Sequence, residues 1–503
     1  MLPSILFLST ISFAVIVVTS ASNILVFMPM PFKSHIRGFQ PLFEELAHRG
    51  HNVTVVSSYP QNRQIANYTD IGPFYIKELE RNVMEMINKN FVMSALSVWD
   101  LGLKLSKVLT HKSMVDFFQT TSDSFDLVLI ESCCQEYTVA LGHKFNAPVI
   151  NLAPAMIWNS ISKWLHVPST FSYIPNIFLE TESDNMSFTQ RLKNTIIGIM
   201  QLYVENYLYL PKMKEIMDTH LTYKGWQSRP SLEDMLNNVS LTLVNAHYAI
   251  GISRPYTPGV IDVGGMHIKE SKPLSGDLQT FVDSAEHGVI YFSFGSLINL
   301  NHLPQEKLNI FLGTIEKLKQ KVILKWIPNS TVKLSQNVMT GSWFPQSDIL
   351  AHPNVKLFIT HGGLHSLEET VYFAKPIVAV PFFGDQFLNM KFVERKGYGK
   401  LVDFFKMTNE SFGNSIKEVL SNPMFKKNVE IQSQIYRDQP MKPLDRAIYW
   451  IEYVIRNRGA GHLKSYSVEL NDVQYFLFDI VFFLLIPVVC IVWSCYLFIV
   501  KIT

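Results

Sequence analysis

The sequence predicts an α/β protein with two doubly wound, Rossmann-like parallel sheets that face a cleft, followed by one membrane-spanning helix. Short apolar runs of strand length alternate with amphipathic helical segments through most of the 503 residues. The runs form two series, and a chain of this length is expected to bury more than one core. Residues 480–500 carry no charge and are long enough to cross a bilayer as a helix.

The first series of strands predicts one parallel sheet. The apolar run at 24–28 is followed by an amphipathic helix at 41–49, which Gly50 closes, and the next strand follows at 53–57. A strand, a helix and a second strand in this order form a crossover, which pairs the strands in parallel. Further strands are predicted at 127–130, 149–152 and 241–245, and the last of these is expected to end the first sheet.

The second series predicts a second sheet and a second domain. Its strands are expected at 288–292, 321–326, 355–360 and 376–380. Gly264-Gly265 marks the linker, so the expected domains are 22–263 and 264–460. Ligands bind such folds at the carboxyl ends of the strands, and the site is therefore expected between the two sheets.

Both ends of the chain carry membrane signals. Residues 1–21 are predicted to be a signal peptide, because an apolar, uncharged run ends in small residues; a retained N-terminal anchor is the alternative. A transmembrane helix is predicted at 476–500, with a cytosolic tail at 501–503. A large domain delivered by a signal peptide crosses regardless of its charge. We therefore expect a single-pass type I protein of the endoplasmic reticulum membrane, with both domains in the lumen.

Composition narrows the class of protein further. The 44 basic and 42 acidic residues nearly cancel and no basic tract stands out, so nucleic acid is not an expected partner. The four cysteines are an adjacent pair and two residues of the predicted span, which predicts no disulfide framework, and no metal site is predicted. Six glycosylation sequons fit a lumenal location: Asn52, Asn67, Asn185, Asn238, Asn329 and Asn409.

The most informative stretch, residues 358–386, joins a strand, a helix and a second strand, with polar groups only at the strand ends. Gly362 and Gly363 follow the first strand and let backbone amides approach a ligand closely. The helix behind them directs its positive end at the same point, which suits a phosphate. Asp385 and Gln386 follow the second strand and can form hydrogen bonds with sugar hydroxyls.

This stretch resembles the signature of the UDP-glucuronosyltransferase and UDP-glycosyltransferase family, in the form found in invertebrate members. The resemblance extends over residues 23–500 and includes Trp343-Phe344-Pro345-Gln346. It implies the two-domain GT-B fold, in which residues 449–456 cross back to the first domain. It also implies that residues 158–229 form helices around an acceptor pocket.

In this family the second domain binds the UDP-sugar, and matching positions imply roles for residues of this chain. Trp343 would stack on uracil, His361 would contact the diphosphate, and Glu369 would hold the ribose hydroxyls. Asp385 and Gln386 would contact the transferred sugar. The complete predicted donor site comprises Ser293, Gly295, Ser296, Trp343, Gln346, His361, Gly363, Ser366, Glu369, Asp385 and Gln386.

The first domain is expected to supply the catalytic base. His35 follows the first strand and matches the family's base, which takes a proton from the acceptor hydroxyl. His48 and His51 are rival histidines, and both are interpreted as helix-end residues. The carboxylate that orients the base is predicted to be Glu131, with Glu136 as the alternative. The family has an Asp in this segment, and this chain has a Glu at both candidate positions.

The resemblance implies that a hexose moves with inversion from a UDP-sugar to a hydroxyl of a small lipophilic acceptor, for detoxification or metabolite conjugation. The UDP-sugar is a co-substrate, and no cofactor is expected. Glu131 and Phe383-Gly384 resemble invertebrate members of the family, and this resemblance favours glucose over glucuronate. The alternative is a membrane protein that binds lipophilic ligands or nucleotide sugars without turnover. His365 replaces an Asn of vertebrate members and is expected on a solvated helix face; a homo-oligomer is left open.

Overall fold

The structure is a computed structural model that describes residues 21–502 except for positions 62, 75, 77–98, 122–123, 158, 169, 178, 180–184 and 330–331. The predicted signal peptide lies outside the described residues, apart from residue 21. Within the described residues, two parallel sheets form, helices flank them, and a long apolar helix follows at the C-terminus. The predicted fold class is confirmed.

The first sheet, in the described part of the chain, consists of seven parallel strands: β1 (Asn23–Met28), β2 (Asn52–Ser57), β3 (Tyr68–Ile71), β4 (Leu127–Glu131), β5 (Val149–Ala153), β6 (Leu241–Val244) and β7 (Val260–Asp262). Their order is β3-β2-β1-β4-β5-β6-β7. The prediction that the sheet ends at 241–245 is wrong, because β7 pairs with β6. A strand of three residues is too short to show a periodic pattern in the sequence.

Helices pack on both faces of this sheet. Those with both ends inside the described residues include, in chain order, α1 (Lys33–His48), α2 (Lys112–Thr120), α3 (Ala140–Phe145), α4 (Asn159–Trp164), α5 (Phe188–Val204), α6 (Leu210–His220) and α7 (Leu232–Asn237). Successive side chains of β1 point to opposite faces, so Leu25 and Phe27 enter one apolar core while Ile24 and Val26 enter another.

The second sheet is also parallel, and its described strands are β8 (Val289–Ser293), β9 (Lys321–Lys325), β10 (Val338–Gly341), β11 (Val355–Thr360), β12 (Ile377–Ala379) and β13 (Gly399–Leu401). Their order is β10-β9-β8-β11-β12-β13. The helices of this half are α8 (Gly276–Asp283), α9 (Gln305–Ile315), α10 (Gln346–Ala351), α11 (Leu364–Tyr372), α12 (Asp385–Arg395), α13 (Asn409–Ser421) and α14 (Pro423–Arg437).

The chain then returns to the first domain. Helix α15 (Pro443–Asn457) buries Ile448 and Ile451 in the same apolar core as Leu42 of α1. A short helix, α16 (Asp472–Tyr475), precedes the long helix α17 (Phe478–Ile502). Helix α17 has 25 residues, a mean hydropathy of 2.7 and no buried portion, so its length and composition fit a membrane anchor. It begins and ends two residues later than the predicted span.

Two reversals of strand order position the cleft. In the first sheet the order reverses between β1 and β4, where Phe27 pairs with Ile130. In the second it reverses between β8 and β11, where Ser293 pairs with Thr360. Loops diverge at such reversals and leave a crevice beyond the carboxyl ends of the strands, where ligands of open α/β sheets bind.

Candidate active site

A cleft of about 1320 Å³ lies between the two domains and is lined by residues of both. Ligand pockets commonly have volumes of roughly 300–1,000 Å³, so this cleft has room for a donor and an acceptor together. The predicted site residues all line it, with three exceptions: Glu131, Glu136 and Ser293.

His35 and Glu131 form a pair on the first-domain side of the cleft. His35 lies in the first turn of α1, and its Nδ1 is 2.5 Å from Oε1 of Glu131. Glu131 is the buried last residue of β4, and Gln135 Nε2 donates to its other oxygen at 3.3 Å. Because both carboxylate oxygens have partners, the carboxylate is held in place and favours the tautomer with a proton on Nδ1. Nε2 is then the nitrogen that can accept a proton.

Glu136 does not meet His35. It is buried, and its Oε2 accepts a hydrogen bond from the Tyr209 hydroxyl at 3.0 Å. Burial raises the pKa of Glu136 to about 7. Of the two carboxylates that the sequence left open, the geometry therefore places Glu131 beside His35. Its catalytic role remains a prediction.

The rival histidines lie away from the cleft. His48 is exposed in the last turn of α1, with its Nδ1 3.9 Å from Glu45. His51 is buried just before β2, and its Nδ1 accepts a hydrogen bond from the Ser22 amide at 3.3 Å. Neither side chain lines the cleft, so His35 is the best placed of the three to contact an acceptor.

His361 lies between two glycine-containing loops on the second-domain side. A Cβ at Gly295 would lie 2.7 Å from His361 Cε1, and one at Gly363 would lie 2.6 Å from Nε2. Both positions therefore require glycine for this close approach, and Gly295 also has a φ of +74°. Burial, with a smaller effect of Lys325, lowers the pKa of His361 to about 4. A neutral imidazole beside backbone amides can donate a hydrogen bond to a phosphate oxygen.

Trp343 is surrounded by three cations that were not predicted from the sequence. The Arg37 guanidinium lies 4.4 Å from the centre of its ring, Lys325 Nζ lies 4.7 Å away and Lys33 Nζ 6.0 Å away. Lys325 Nζ also donates to the Gly295 carbonyl at 2.8 Å. Burial, Arg37 and Lys33 lower the pKa of Lys325 to about 8, which leaves it mostly protonated at neutral pH. The sequence feature that could have indicated this group of cations is Lys325 itself, a cation at the end of an apolar strand.

Glu369 is held by two neighbours near Trp343. Ser347 Oγ donates to Glu369 Oε1 at 2.6 Å, and Gln346 Nε2 donates to Oε2. Gln346 Nε2 also lies 3.1 Å from Ser366 Oγ. This arrangement fixes the Glu369 carboxylate in a cleft that Trp343, a residue 55% exposed, also lines.

Asp385 and Gln386 follow Gly384 and are the first two residues of α12, and both line the cleft. Asn389 Nδ2 donates to Asp385 Oδ2 at 2.9 Å. Gln386 Oε1 accepts from the Phe382 amide at 2.9 Å, so its NH₂ group is the part left to contact a sugar. Burial raises the pKa of Asp385.

Two residues discussed in the sequence analysis, Ser293 and His365, have surroundings that differ from those expected. Ser293 is buried behind the cleft wall, and its Oγ accepts from the Gly295 amide at 3.3 Å. The expectation that His365 is solvated is wrong, since its ring lies 4.7 Å from that of His267 and its Nε2 3.5 Å from Asn245 Nδ2. The close approach depends on Gly38, whose Cβ would lie 2.4 Å from His365 Nε2. No local pattern shows which residues of the other domain a helix face will meet.

His365 also belongs to a group that could hold a cation. Among the described residues, the ligand atoms of His267, His365 and Glu368 lie within 4.8 Å of one another. Asn245 Nδ2 lies 3.4 Å from Glu368 Oε2 as well as near His365, so a hydrogen-bond donor already points at two of the three groups. The cluster of His267, His365 and Glu368 is therefore explained as a polar contact between the domains. The expectation that no metal is needed stays a prediction.

Comparison with known proteins identifies the family. A family model described as UDP-glucoronosyl and UDP-glucosyl transferase matches residues 23–502. The chain belongs to this family. UDP-glycosyltransferase UGT4 of Dactylopius coccus is 38% identical over 466 residues, which cover 92% of this chain and 91% of the relative. UDP-glucuronosyltransferase 2C1 of Oryctolagus cuniculus is 32% identical over 92% of this chain and 94% of its own.

A solved structure agrees with the fold of this UDP-glycosyltransferase. Glycosyltransferase VinC, in complex with dTDP, aligns with a TM-score of 0.58 at 13% identity, covering 87% of this chain and 100% of VinC. At that identity the likeness shows the GT-B fold alone. Family membership makes the protein an enzyme that transfers a glycosyl group from a UDP-sugar.

The loop at Gly295 gives a direct test of the phosphate end of the cleft. Gly295→Ala should displace either the loop or His361, because a side chain at φ +74° costs about 1–2 kcal/mol and would touch the imidazole. We expect the Kd for UDP, measured by calorimetry, to rise about tenfold.

The matched control for this change is Gly313→Ala in α9, where an added Cβ meets nothing within 4 Å. It should leave the Kd for UDP unchanged. Unaltered UDP binding by the Gly295 variant would show that this loop takes no part in holding the nucleotide.

Proposed function

We propose that this UDP-glycosyltransferase moves glucose from UDP-glucose to a hydroxyl of a small lipophilic acceptor, with inversion at the anomeric carbon. The observation that carries the proposal is the His35–Glu131 pair, which faces the donor residues His361 and Asp385 across one cleft. Family membership supports the UDP-sugar as donor. The first-domain wall supports a lipophilic acceptor, because it is largely apolar and includes Phe32, Leu101, Met156, Ile161 and Leu179.

The reaction uses one proton transfer and one displacement. The acceptor hydroxyl gives its proton to His35 Nε2 while its oxygen forms a bond to the anomeric carbon. The bond from that carbon to the diphosphate oxygen breaks on the opposite face, and UDP leaves. Glu131 stabilises the imidazolium that forms.

The departing diphosphate needs compensation for its developing negative charge. Lys325 and the neutral imidazole of His361 lie beside Gly295, next to the start of α11. Fixed donors and cations of this kind stabilise charge without reorganising at the moment of reaction. In this proposal they take the role that a metal ion has in other sites, and no metal or cofactor is needed.

We favour glucose over glucuronate as the transferred sugar. Glu131 and Phe383-Gly384 resemble invertebrate members of the family, and a relative named UDP-glucosyltransferase 2, of Dactylopius coccus, is 33% identical to this chain. The hydroxyls of glucose can donate hydrogen bonds to Asp385. The alternative function, a binding protein without turnover, was suggested by the Glu that replaces the family's Asp. Glu131 contacts His35 in spite of this replacement, so the main reason for that alternative is gone.

We further propose that the enzyme is anchored by α17 in the endoplasmic reticulum membrane, with both domains in the lumen. The support is the exposed apolar helix near the C-terminus and the sequons in the two domains. Lipophilic acceptors partition into membranes, which places an anchored enzyme where its substrates concentrate.

The first experiment measures transfer itself. Microsomes that contain the full chain are incubated with radiolabelled UDP-glucose or UDP-glucuronate and a panel of phenols. We expect labelled glycoside from UDP-glucose, and a 10²–10⁴-fold lower turnover for His35→Ala, which removes the general base. UDP binding should survive, because the donor residues belong to the other domain.

The control for this loss is His48→Ala, an exposed residue outside the cleft, which should keep wild-type turnover. Near-normal turnover in the His35 variant would remove His35 as the base. Binding of UDP without transfer from either donor would contradict the proposed activity.

The orienting carboxylate is tested by a pair of Gln substitutions. Glu131→Gln keeps a hydrogen-bond partner for His35 but cannot stabilise its charge, so turnover should fall by up to about 10⁴-fold. Glu136→Gln still accepts from Tyr209 and should change turnover little. The reverse pattern in matched phenol assays would show that Glu136 supports the base instead.

Orientation is tested on sealed microsomes. Protease added without detergent should leave both domains intact, because the membrane encloses them, and glycosidase treatment should shift their mobility on a gel. Ready digestion without detergent would place the domains in the cytosol and contradict the proposed topology.

A further inference from the structure

Two adjacent cysteines lie in the turn that follows Glu131, the last residue of β4. Both are free, and their sulfur atoms lie 3.6 Å apart. Cys133 lines the cleft, whereas Cys134 is buried and only 3% exposed. Because one thiol can be reached from the cleft and the other already touches it, the pair has the arrangement that thiol–disulfide exchange requires.

The turn that carries the two cysteines is tightly packed. Cys134 has a φ of +57°, a left-handed conformation that residues other than glycine rarely adopt. An added Cβ at Gly102 would lie 2.7 Å from the carbonyl oxygen of Cys134 and 3.0 Å from its Cβ, so the turn rests directly on the backbone of Gly102. A disulfide bond is about 2.05 Å long. Forming it would draw the two sulfur atoms together and change the conformation of this turn.

The same turn is connected to the His35–Glu131 pair through Gln135. The Nε2 of Gln135 donates to Glu131 Oε2 at 3.3 Å and to the Cys133 carbonyl at 3.4 Å. The other oxygen of Glu131 contacts His35 Nδ1. One amide group therefore joins the backbone of the cysteine pair to the carboxylate that orients the proposed base. A change of conformation at Cys133 would displace Gln135 from Glu131.

A disulfide between adjacent residues is easier to reduce than an ordinary one. Two α-carbons joined by a trans peptide lie about 3.8 Å apart, below the roughly 4.4–6.8 Å that separates them in ordinary disulfides, so the bridge is strained. Strained disulfides are reduced more readily than structural ones and are typical of regulatory sites. The pair is therefore suited to a reversible change, in agreement with the absence of a predicted disulfide framework.

We propose that Cys133 and Cys134 form a reversible disulfide that lowers the activity of the His35–Glu131 pair. The oxidant is a small-molecule disulfide of the glutathione class, and the proposed lumenal location would supply oxidising conditions. This regulation acts on the active site described above and rests on the proposed function.

The reaction is two successive thiol–disulfide exchanges. The Cys133 thiolate attacks one sulfur of glutathione disulfide, which forms a mixed disulfide and releases one glutathione. Cys134 then loses its proton and attacks the sulfur of Cys133, which releases the second glutathione. The two protein thiols lose two electrons and two protons, and these end in two glutathione thiols. Contact with Cys133 and burial raise the pKa of the Cys134 thiol, so the second exchange is expected to be the slower one.

The test uses permeabilised microsomes that contain the full chain, equilibrated with defined ratios of glutathione and glutathione disulfide. Mass spectrometry after alkylation should show that the peptide with both cysteines loses two hydrogen atoms and both alkylation sites as glutathione disulfide increases. Glucoside formation in the same samples should fall about tenfold, as expected when a charged group loses a hydrogen bond. Excess glutathione should reverse both changes.

Cysteine variants identify the residues that respond. Turnover with and without glutathione disulfide should be equal in Cys133→Ser, and equal in Cys134→Ala, because neither variant can form the bridge. The matched control replaces the two cysteines of α17 by serine, Cys490→Ser with Cys495→Ser, and should keep the full response. A response that survives in the Cys133 variant would show that another group is the target and would overturn the proposal.

A second measurement does not depend on sugar transfer. Diethyl pyrocarbonate modifies imidazole nitrogens, and mass spectrometry gives the rate at His35 relative to that at His48, which is exposed and outside the cleft. The relative rate should fall when the bridge forms, because an imidazole that loses its carboxylate partner is a weaker nucleophile. A fall in this rate without transfer in either redox state would contradict the proposed activity and leave the redox link to His35 standing.

Two results would overturn the proposal. The first is a pair that stays reduced, or stops at a mixed disulfide on Cys133, at every ratio of glutathione disulfide to glutathione. The second is a bridge that forms and leaves both turnover and the relative rate at His35 unchanged.

Discussion

The site depends on the meeting of two parallel sheets at the carboxyl ends of their strands. His35 follows β1 and Glu131 ends β4, and these two strands are neighbours at the point where strand order reverses. The second sheet repeats this arrangement, because Gly295 follows β8 and His361 follows β11. Parallel pairing thus brings residues far apart in sequence to one edge, and the facing of the two edges forms the cleft.

The charges of the cleft divide it into ends with different chemistry. Lys325 and Arg37 lie around Trp343, and Lys325 also contacts the Gly295 loop beside His361. That end suits a nucleoside diphosphate. Asp385 and His35 also line the cleft, together with a first-domain wall that is largely apolar. An acceptor bound there would place its hydroxyl between the base and the sugar.

Local patterns in the sequence predicted the alternating strands and helices, and the family resemblance supplied site residues that, with few exceptions, line the cleft. The pairing of His35 with Glu131 was predicted with Glu136 as the alternative, and the structure places Glu131 beside His35 because it is the last residue of β4. The sequence could not show which residues meet across the domains. His365 contacts Asn245 of the first domain, and Arg37 reaches Trp343 of the second. The strand β7 was missed because three residues carry no periodicity.

In the proposed reaction, a base on the first domain activates an acceptor for direct attack on a sugar held by the second domain. Attack from the side opposite to UDP must invert the anomeric carbon, so the configuration of the product is the most direct test of this reaction. Proton NMR of the glycoside formed from UDP-glucose reports this configuration through the coupling between H1 and H2. A single displacement on an α-linked UDP-glucose predicts the large trans-diaxial coupling of a β-glucoside. The small coupling of an α-glucoside would show retention and contradict a single displacement assisted by His35.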